Sequence, residues 1–305
     1  MKKIALVGAG NIGGILAFLV SVRELGDIIL IDKNEGIAKG KALDICQASS
    51  IYGFKCSIFG TANPKAMQGA DVVIISAGIP RRQGQKREDT IAINSRIIKE
   101  VSANVKDYAP NAFVIIITNP LDAMVYLAKK TTGFPRERVV GMAGILDSAR
   151  FRSFIAGELK IPANEVNTIV TGGHNDSMVP VVSKTTVKEN PITALLPKER
   201  IREIIERTKQ AGAEIVKLMG TSAFFAPATG AVNIAESYLK NEKRVFPCSV
   251  YLKGEYGLSD VCIGVPVRIG NRGVEEIVEI ELTEEEKEEF NRSANAIKDL
   301  IKKIL

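Results

Sequence analysis

The first 32 residues constrain the fold of this chain more than any other stretch. A β-branched and aliphatic run over residues 2–7 leads directly into GAGNIG at residues 8–13. A helical pattern then extends to about Glu24, and a second apolar run over residues 28–31 ends on Asp32. The order strand, glycine turn, helix, strand and acidic residue predicts a βαβ unit of the dinucleotide-binding type.

Each part of this unit has a physical role toward a dinucleotide. The glycines allow a tight turn, a close approach of the backbone to the pyrophosphate, and close packing of helix against strand. The amides at the start of the helix face the phosphates, and the acidic residue accepts hydrogen bonds from the ribose hydroxyls. The residues that we expect at the cofactor from this stretch are Gly8, Gly10, Asn11, Ile12, Gly13 and Asp32.

A secretory signal peptide is the alternative interpretation of the same stretch. Lys2 and Lys3 resemble a charged n-region, and residues 4–20 are mostly apolar. Asn11 and four glycines interrupt the run, however, and no small-x-small cleavage site precedes Arg23. The run is also too interrupted to span a bilayer. We therefore expect a cytoplasmic protein that binds a nucleotide and does not associate with membranes.

Composition and charge exclude several other classes of protein. The chain has 305 residues, with a hydrophobic fraction of 46% and a net charge of +6, which is ordinary for a globular protein apart from its basic character. The one dense basic stretch, at residues 81–87, has no aromatic side chain to stack a nucleic-acid base. Four cysteines without C-x-x-C spacing, together with a single histidine, predict no metal site and fit a reducing compartment.

The hydrophobic pattern divides the chain into two parts. Over residues 1–145 buried-type strands alternate with helices, which predicts a doubly wound parallel sheet of the Rossmann type. Residues 146–305 predict an α+β catalytic domain: a helix beginning near Asp147, β runs at 167–171 and 178–187, and a long helix after Pro197. Three antiparallel runs at 244–252, 261–269 and 274–282 and a C-terminal helix capped by Thr283 and Glu286 complete it.

Ligands bind at the carboxyl ends of the strands in a doubly wound sheet. These ends are predicted at residues 8–13, at Asp32, at the basic loop 78–87, and at residues 118–119. The dinucleotide turn and the basic loop should therefore share one edge of the sheet.

His174 is the candidate for acid–base chemistry. It follows two glycines at the end of a predicted strand, and an enzyme that delivers hydride to a carbonyl needs a proton donor with a pKa near the operating pH. A carboxylate on the other ring nitrogen would hold the tautomer and stabilise the imidazolium. Asp147 and Asp176 are both candidates for that partner, and the spacing alone does not choose between them.

Arg150 is the candidate for holding a substrate carboxylate. A guanidinium matches a carboxylate with two parallel hydrogen bonds, and Arg150 lies one helical turn after Asp147. A simple surface ion pair between Asp147 and Arg150 is an equally plausible interpretation of this spacing.

Five motifs then occur in a characteristic order. They are GAGNIG with Asp32, GIPRRQGQKR at residues 78–87, TNP at 118–120, LDSARF at 146–151 and GHNDSMVP at 173–180. Over nearly its whole length the chain resembles the lactate/malate dehydrogenase family, and most closely the lactate-dehydrogenase-like malate dehydrogenases within it.

The resemblance implies a role for each matching residue. His174 would transfer the proton with Asp147 as its partner, and Arg150 would bind the carboxylate next to the substrate carbonyl. Arg87 would polarise the carbonyl, and Asn119 would hydrogen-bond the substrate. Further residues along the NAD cofactor would be Asn94, Ile117, Thr118 and Asn119.

Arg81 would select the substrate. Lactate enzymes of the family usually have glutamine at the matching position, whereas an arginine pairs with a second carboxylate and favours malate and oxaloacetate. The neighbouring Arg82 leaves an ambiguity of one residue. The alternatives are a lactate or other 2-hydroxy acid dehydrogenase and, in another class, a dinucleotide-binding protein without turnover. Asp32 favours NAD over NADP, and the resemblance implies a homodimer or homotetramer without nucleic-acid partners.

Overall fold

The computed structural model describes residues 2–55, 57–79 and 87–304 of the chain. The N-terminal half alternates strands with helices, as the hydrophobic pattern predicts. Its elements are β1 (Lys3–Val7), α1 (Asn11–Val22), β2 (Asp27–Ile31), α2 (Glu35–Tyr52), β3 (Ile58–Thr61), β4 (Val72–Ile75), α3 (Arg87–Tyr108), β5 (Phe113–Ile116), α4 (Leu121–Thr132) and β6 (Val139–Gly141).

The C-terminal half mixes helices with short and long strands. Its elements are α5 (Ala143–Leu159), β7 (Val166–Asn167), β8 (Val170–Thr171), β9 (Val179–Pro180), β10 (Thr186–Val187), β11 (Asn190–Pro191), α6 (Ile192–Leu195), α7 (Lys198–Met219), α8 (Phe225–Lys240), β12 (Arg244–Lys253), β13 (Ser259–Gly270), β14 (Gly273–Ile277) and α9 (Glu284–Lys302).

Within the described residues, nine strands form one sheet in the order β14-β13-β12-β6-β5-β4-β1-β2-β3. The strands β1 to β6 are parallel and follow the Rossmann order 3-2-1-4-5-6. The order reverses between β1 and β4, and this is the point where sheets of this type bind their ligands. The predicted fold class, a Rossmann sheet followed by an α+β part, is confirmed.

The central strands explain why the sheet forms. Each of the four side chains of β4, and each of the four of β5, is buried, because helices cover both faces of the parallel sheet. A second, smaller core forms where α5 and α7 pack on the short strands, and it contains Phe151, Ile155 and Ile204.

The predicted antiparallel meander is confirmed as β12, β13 and β14, although β14 ends at Ile277 and not at residue 282. The meander also continues the parallel sheet, because Ser249 of β12 pairs with Gly141 of β6. This join was not expected from the sequence. It places the C-terminal strands in the same sheet as the dinucleotide turn.

Other sequence-based boundaries were also wrong. The apolar pattern predicts a third strand over residues 55–59, but the strand lies at Ile58–Thr61, where its backbone pairs with β2. The helix expected near residue 147 begins at Ala143, where Gly144 packs closely against Pro247. The β runs at 167–171 and 178–187 each split into two short strands, β7 with β8 and β9 with β10, and the buried hydroxyls of Thr168 and Thr185 hydrogen-bond each other at 2.7 Å between the short strands.

The sequence pattern also missed the helix α8. Eight of its residues are buried, and many of them are small. Its less buried polar residues form only a narrow stripe at helical spacing, Thr229, Asn233, Glu236 and Lys240, which is a weaker signal than the broad polar face of most surface helices. Among the helices that the structure describes, none combines the length and apolar character that crossing a bilayer requires.

Candidate active site

The glycine turn after β1 has the geometry that a dinucleotide site needs. Gly8 has a φ of +104°, and a Cβ on Gly13 would lie 1.8 Å from the carbonyl oxygen of Gly8, so both positions require glycine. A Cβ on Gly10, in contrast, would meet nothing within 4 Å among the described residues. The open side of Gly10 leaves room for a ligand at the start of α1, which fits the pyrophosphate of a dinucleotide.

Asp32 stands at the end of β2 beside this turn. One carboxylate oxygen accepts a hydrogen bond from the backbone N–H of Ala9 at 2.7 Å, and the other accepts one from Asn34 at 2.9 Å. These bonds fix the carboxylate next to the glycine turn, where it can reach the ribose hydroxyls of a nucleotide.

Asn94 ties together the loops that follow β4 and β5. Its side-chain oxygen accepts from the N–H of Ile79 at 2.8 Å, and its amide nitrogen donates to the carbonyl of Asn119 at 2.8 Å. Thr118 makes a third link, since its hydroxyl donates to the carbonyl of Ala77 at 2.7 Å. Asn94 and Thr118 are buried, whereas Asn119 is exposed. The side chain of Asn94 therefore holds the loop after β4 and the loop after β5 in position relative to each other.

His174 and Asp147 form the central pair of the site. The ring Nδ1 of His174 lies 2.7 Å from Oδ2 of Asp147, on α5. The other oxygen of Asp147 accepts a hydrogen bond from Nη1 of Arg150 at 3.2 Å. Asp147 is buried, and the side chains of His174 and Arg150 are only 14% and 13% exposed. Of the two carboxylates that the spacing left open, the structure places Asp147 against the ring, while Asp176 is exposed.

The pKa of His174 is raised above its ordinary value. Burial on its own disfavours the imidazolium and would lower the pKa, but the charge and the hydrogen bond of Asp147 act in the opposite direction and prevail. The nearby Arg150 opposes this rise, and Asp122 adds to it. A raised pKa favours the imidazolium, the form of the ring that can transfer a proton to an acceptor in the site.

Asp122 is a site residue that the sequence analysis missed. It lies in the first turn of α4, is 5% exposed, and accepts a hydrogen bond from the backbone N–H of His174 at 2.8 Å. Burial raises the pKa of Asp122, and the hydrogen bond from His174 partly offsets this rise. The sequence contained a signal for this role, because Asp122 lies only two residues after Pro120, next to the predicted strand end.

The C-terminal helix α9 holds the loop that carries His174. The hydroxyl of Ser293 accepts from the N–H of Gly173 at 2.8 Å and lies 2.8 Å from the hydroxyl of Ser177. The sequence pattern predicts this helix and its capping box, and both are found. The contacts of Ser293 fix the backbone of Gly173 before His174 and hold the side chain of Ser177 after it.

A cavity of about 1120 Å³ opens beside His174. It lies between α3, α4, α9 and the His174 loop, and Asp122 and Pro120 are also part of its wall. Nearby, the buried Nε of Arg150 has no hydrogen-bond acceptor among the described residues. A small substrate with a carboxylate would supply that acceptor, because a guanidinium and a carboxylate match as two parallel hydrogen bonds.

Three arginines predicted at the site lie partly or wholly outside the described residues. Arg81 and Arg82 lie outside the described residues, and Arg87 is described only as the first residue of α3. Asn175, directly after His174, does not adopt a positive φ. Its side-chain oxygen accepts from the N–H of Ser177 at 2.7 Å, so asparagine is accommodated without left-handed geometry.

Comparison with known protein families gives two matches that together span almost the whole chain. Residues 2–141 match the family model described as lactate/malate dehydrogenase, NAD binding domain. Residues 145–305 match the model described as lactate/malate dehydrogenase, alpha/beta C-terminal domain.

Individual relatives include enzymes with two different names. The malate dehydrogenase of Sorangium cellulosum (strain So ce56) is 51% identical over 301 residues, which cover 98% of this chain and 96% of that protein. The crystal structure of Cryptosporidium parvum malate dehydrogenase has a TM-score of 0.97 at 43% identity, covering 99% of this chain and 98% of that one. A lactate dehydrogenase from the same organism, complexed with lactic acid and nicotinamide adenine dinucleotide, has a TM-score of 0.96 at 43% identity, with the same coverage.

Proposed function

This chain belongs to the lactate/malate dehydrogenase family, and we propose that it is an NAD-dependent malate dehydrogenase. It interconverts malate and oxaloacetate by reversible hydride transfer with NAD(H). The observation that carries the proposal is the cluster of His174, Asp147 and Arg150 in a dinucleotide-binding fold, with His174 lining a cavity. The relative at 51% identity supports the same assignment.

NAD binds at the carboxyl ends of the parallel strands in this proposal. Asp32 accepts hydrogen bonds from the ribose hydroxyls. It disfavours NADP because its negative charge would repel a 2′-phosphate. The open side of Gly10 admits the diphosphate. The residues assigned to the cofactor are Gly8, Gly10, Asn11, Ile12, Gly13, Asp32, Asn94, Ile117, Thr118 and Asn119.

His174 carries the proton. NADH, when bound, supplies a hydride to the carbonyl carbon of oxaloacetate. As negative charge develops on the carbonyl oxygen, His174 donates its proton to that oxygen, and Asp147 stabilises the imidazolium beforehand and orients the ring. In malate oxidation, neutral His174 accepts the hydroxyl proton.

Three further side chains position the substrate. Arg150 binds the carboxylate next to the carbonyl, and its buried Nε, which lacks a protein acceptor in the described chain, supports this role. Asn119 donates to the substrate, and Arg87 polarises the carbonyl oxygen.

Arg81 selects a dicarboxylate. The overall fold does not separate the two activities, because a malate and a lactate dehydrogenase of one organism match this chain almost equally well. The distinction therefore depends on side chains near the substrate. An arginine at position 81 pairs with the second carboxylate of oxaloacetate, and it would be left without an anionic partner by pyruvate.

We place the boundary between the NAD-binding and catalytic domains after residue 145, and we propose a cytoplasmic homodimer or homotetramer. The first family match ends at residue 141 and the second begins at residue 145, close to this boundary. Exposed apolar side chains on α2 and α7 support assembly, since Ile51 is 90% exposed and Leu218 is 77% exposed. The thiols of Cys46, Cys248 and Cys262 are free, which suits a reducing compartment.

The test is to follow NADH absorbance after addition of oxaloacetate, with His174→Asn as the matched variant. The proposal predicts turnover by the wild type and a loss of about 10²-fold or more in the variant, because the proton donor is absent. A wild type that binds NADH but turns over no 2-oxo acid would contradict it and favour a dinucleotide-binding protein without catalysis.

A further inference from the structure

Lys41 on α2 reaches across to the dinucleotide turn. Its ammonium nitrogen Nζ donates a hydrogen bond to the carbonyl oxygen of Gly10 at 2.6 Å. Gly10 is the residue immediately before α1, and its carbonyl oxygen also accepts the N–H of Gly14 at 3.0 Å. A side chain from the second helix therefore delivers a positive charge to the start of the first helix.

Gly14 makes this reach possible. A Cβ on Gly14 would lie 3.1 Å from Nζ of Lys41 and 3.3 Å from its Cδ, so the lysine side chain lies directly against the first turn of α1. The glycine at this position follows the three glycines of the fingerprint and is not needed for the turn itself. Its absent side chain provides the space that Lys41 occupies.

The ammonium stands where a cation is unfavourable without an anion. A helix begins with a partial positive charge, and α1 has neither a side-chain cap at Gly10 nor an acidic residue in its first turn. Burial lowers the pKa of Lys41, and the charge of Asp32 partly restores it. Among the described residues, no carboxylate lies within salt-bridge distance of Lys41, and an ammonium has two donors beyond the one that Gly10 uses.

Lys39 on the same helix shows the ordinary arrangement. Its Nζ lies 3.1 Å from the carboxylate of Glu35, one helical turn earlier, and both side chains are about half exposed. Lys39 thus has an anionic partner within the chain and does not contact the turn. Lys41 lies two residues further on, has no such partner, and points at the phosphate-binding end of α1.

We propose that Lys41 is a cofactor-binding residue that pairs with the diphosphate in the adenosine half of NAD(H). The proposal rests on the NAD site proposed above, and it adds a side-chain charge to a turn otherwise built from backbone. A diphosphate at the start of α1 supplies the anion that both the helix end and the ammonium lack. Asp32 on the other side holds the adjacent ribose, so the two side chains bracket the ribose and its phosphate.

The experiment measures binding without turnover. NADH and ADP-ribose are titrated into the wild type and into Lys41→Gln, Lys41→Arg and Lys39→Gln by isothermal calorimetry. Glutamine retains a donor for Gly10 but removes the charge, arginine keeps the charge, and Lys39→Gln removes the same charge two residues away. We expect Lys41→Gln to weaken both ligands by about tenfold, and the other two variants to stay close to the wild type. The loss should shrink at high salt, because a charge pair is screened.

Several outcomes would overturn the proposal. One is that Lys41→Gln binds NADH as tightly as the wild type does. Another is that Lys39→Gln loses as much affinity for NADH as Lys41→Gln does. If Lys41 only offsets the charge of Asp32, the lysine-to-glutamine change would weaken NADPH and leave NADH unaffected. A wild type that binds neither NADH nor ADP-ribose would also overturn it. A wild type that binds NADH but does not reduce oxaloacetate contradicts only the malate dehydrogenase assignment and leaves the role of Lys41 standing.

Discussion

Nδ1 of His174 lies 2.7 Å from a carboxylate oxygen of Asp147, although the two residues are 27 positions apart in the chain. This contact joins the loop after β8 to the second turn of α5. It holds the imidazole in one orientation and raises its pKa against the effect of burial. The contact therefore favours the protonated ring, which is the form that a carbonyl substrate needs as a proton donor.

Replacing Asp147 with asparagine should reduce activity and move its pH dependence. We expect kcat to fall by about 10²- to 10⁴-fold, because the imidazolium loses its charge partner and the ring its fixed tautomer. Oxaloacetate reduction needs protonated His174, so its kcat/KM falls as pH rises through the pKa of that residue. The variant lowers this pKa, and the fall should begin at a lower pH. Profiles of kcat/KM against pH measure the shift, and superimposable profiles would contradict the proposed pair.

Replacing Asp122 should separate its hydrogen bond from its charge. Asp122→Ala leaves the backbone N–H of His174 without its acceptor, and we expect a loss of about 1–3 kcal/mol in the free energy of unfolding. Asp122→Asn keeps an acceptor and should retain most of that stability. Both variants should move the pH profile of reduction downward, because Asp122 supports the charge of His174. Urea denaturation and pH profiles test this, with the exposed Asp176→Asn as the control.

The glycine turn provides a pair of contrasting substitutions. Gly13→Ala puts a methyl group 1.8 Å from the carbonyl oxygen of Gly8, and we expect it to lower the free energy of unfolding by about 3 kcal/mol. Gly10→Ala meets no atom of the described chain within 4 Å, so its stability should be unchanged. It should nevertheless weaken NADH binding by about tenfold, because the methyl group occupies the ligand side. Normal NADH affinity in a stable Gly10→Ala variant would place the cofactor elsewhere.

Arg81→Gln should shift the substrate preference toward pyruvate. Removing the partner of the second carboxylate should lower kcat/KM for oxaloacetate by about 10²-fold, while the efficiency with pyruvate rises relative to it. Arg82→Gln is the control, since it removes the same charge from the next position. If Arg82→Gln produced the shift and Arg81→Gln did not, the assignment would be one residue out of register.

Local signals predicted a large part of this molecule. The βαβ unit, the buried strands β4 and β5 and the capping box at Thr283 each depend on residues close together in sequence, and all three are found. The helix α8 was missed because it is buried on most sides and its polar residues form only a narrow stripe. The join between β6 and β12 was missed because it depends on a pairing of residues 108 positions apart, Gly141 with Ser249.

The same distinction applies to the site. His174, Asp147 and Arg150 carry recognisable chemistry within short motifs, and the structure brings them together. Asp122, Ser293 and Lys41 act on the site through contacts between separate elements, to the backbone of His174, Gly173 and Gly10 respectively. Spacing along the chain does not reveal such contacts, because each one joins two elements that are far apart in the sequence.

The most direct test of the dicarboxylate assignment is the ratio of kcat/KM for oxaloacetate to that for pyruvate, measured with NADH at one pH. The account predicts that oxaloacetate is favoured by about 10³-fold or more, because pyruvate leaves the charge of Arg81 without its partner. Equal or greater efficiency with pyruvate would contradict it and make the protein a lactate dehydrogenase.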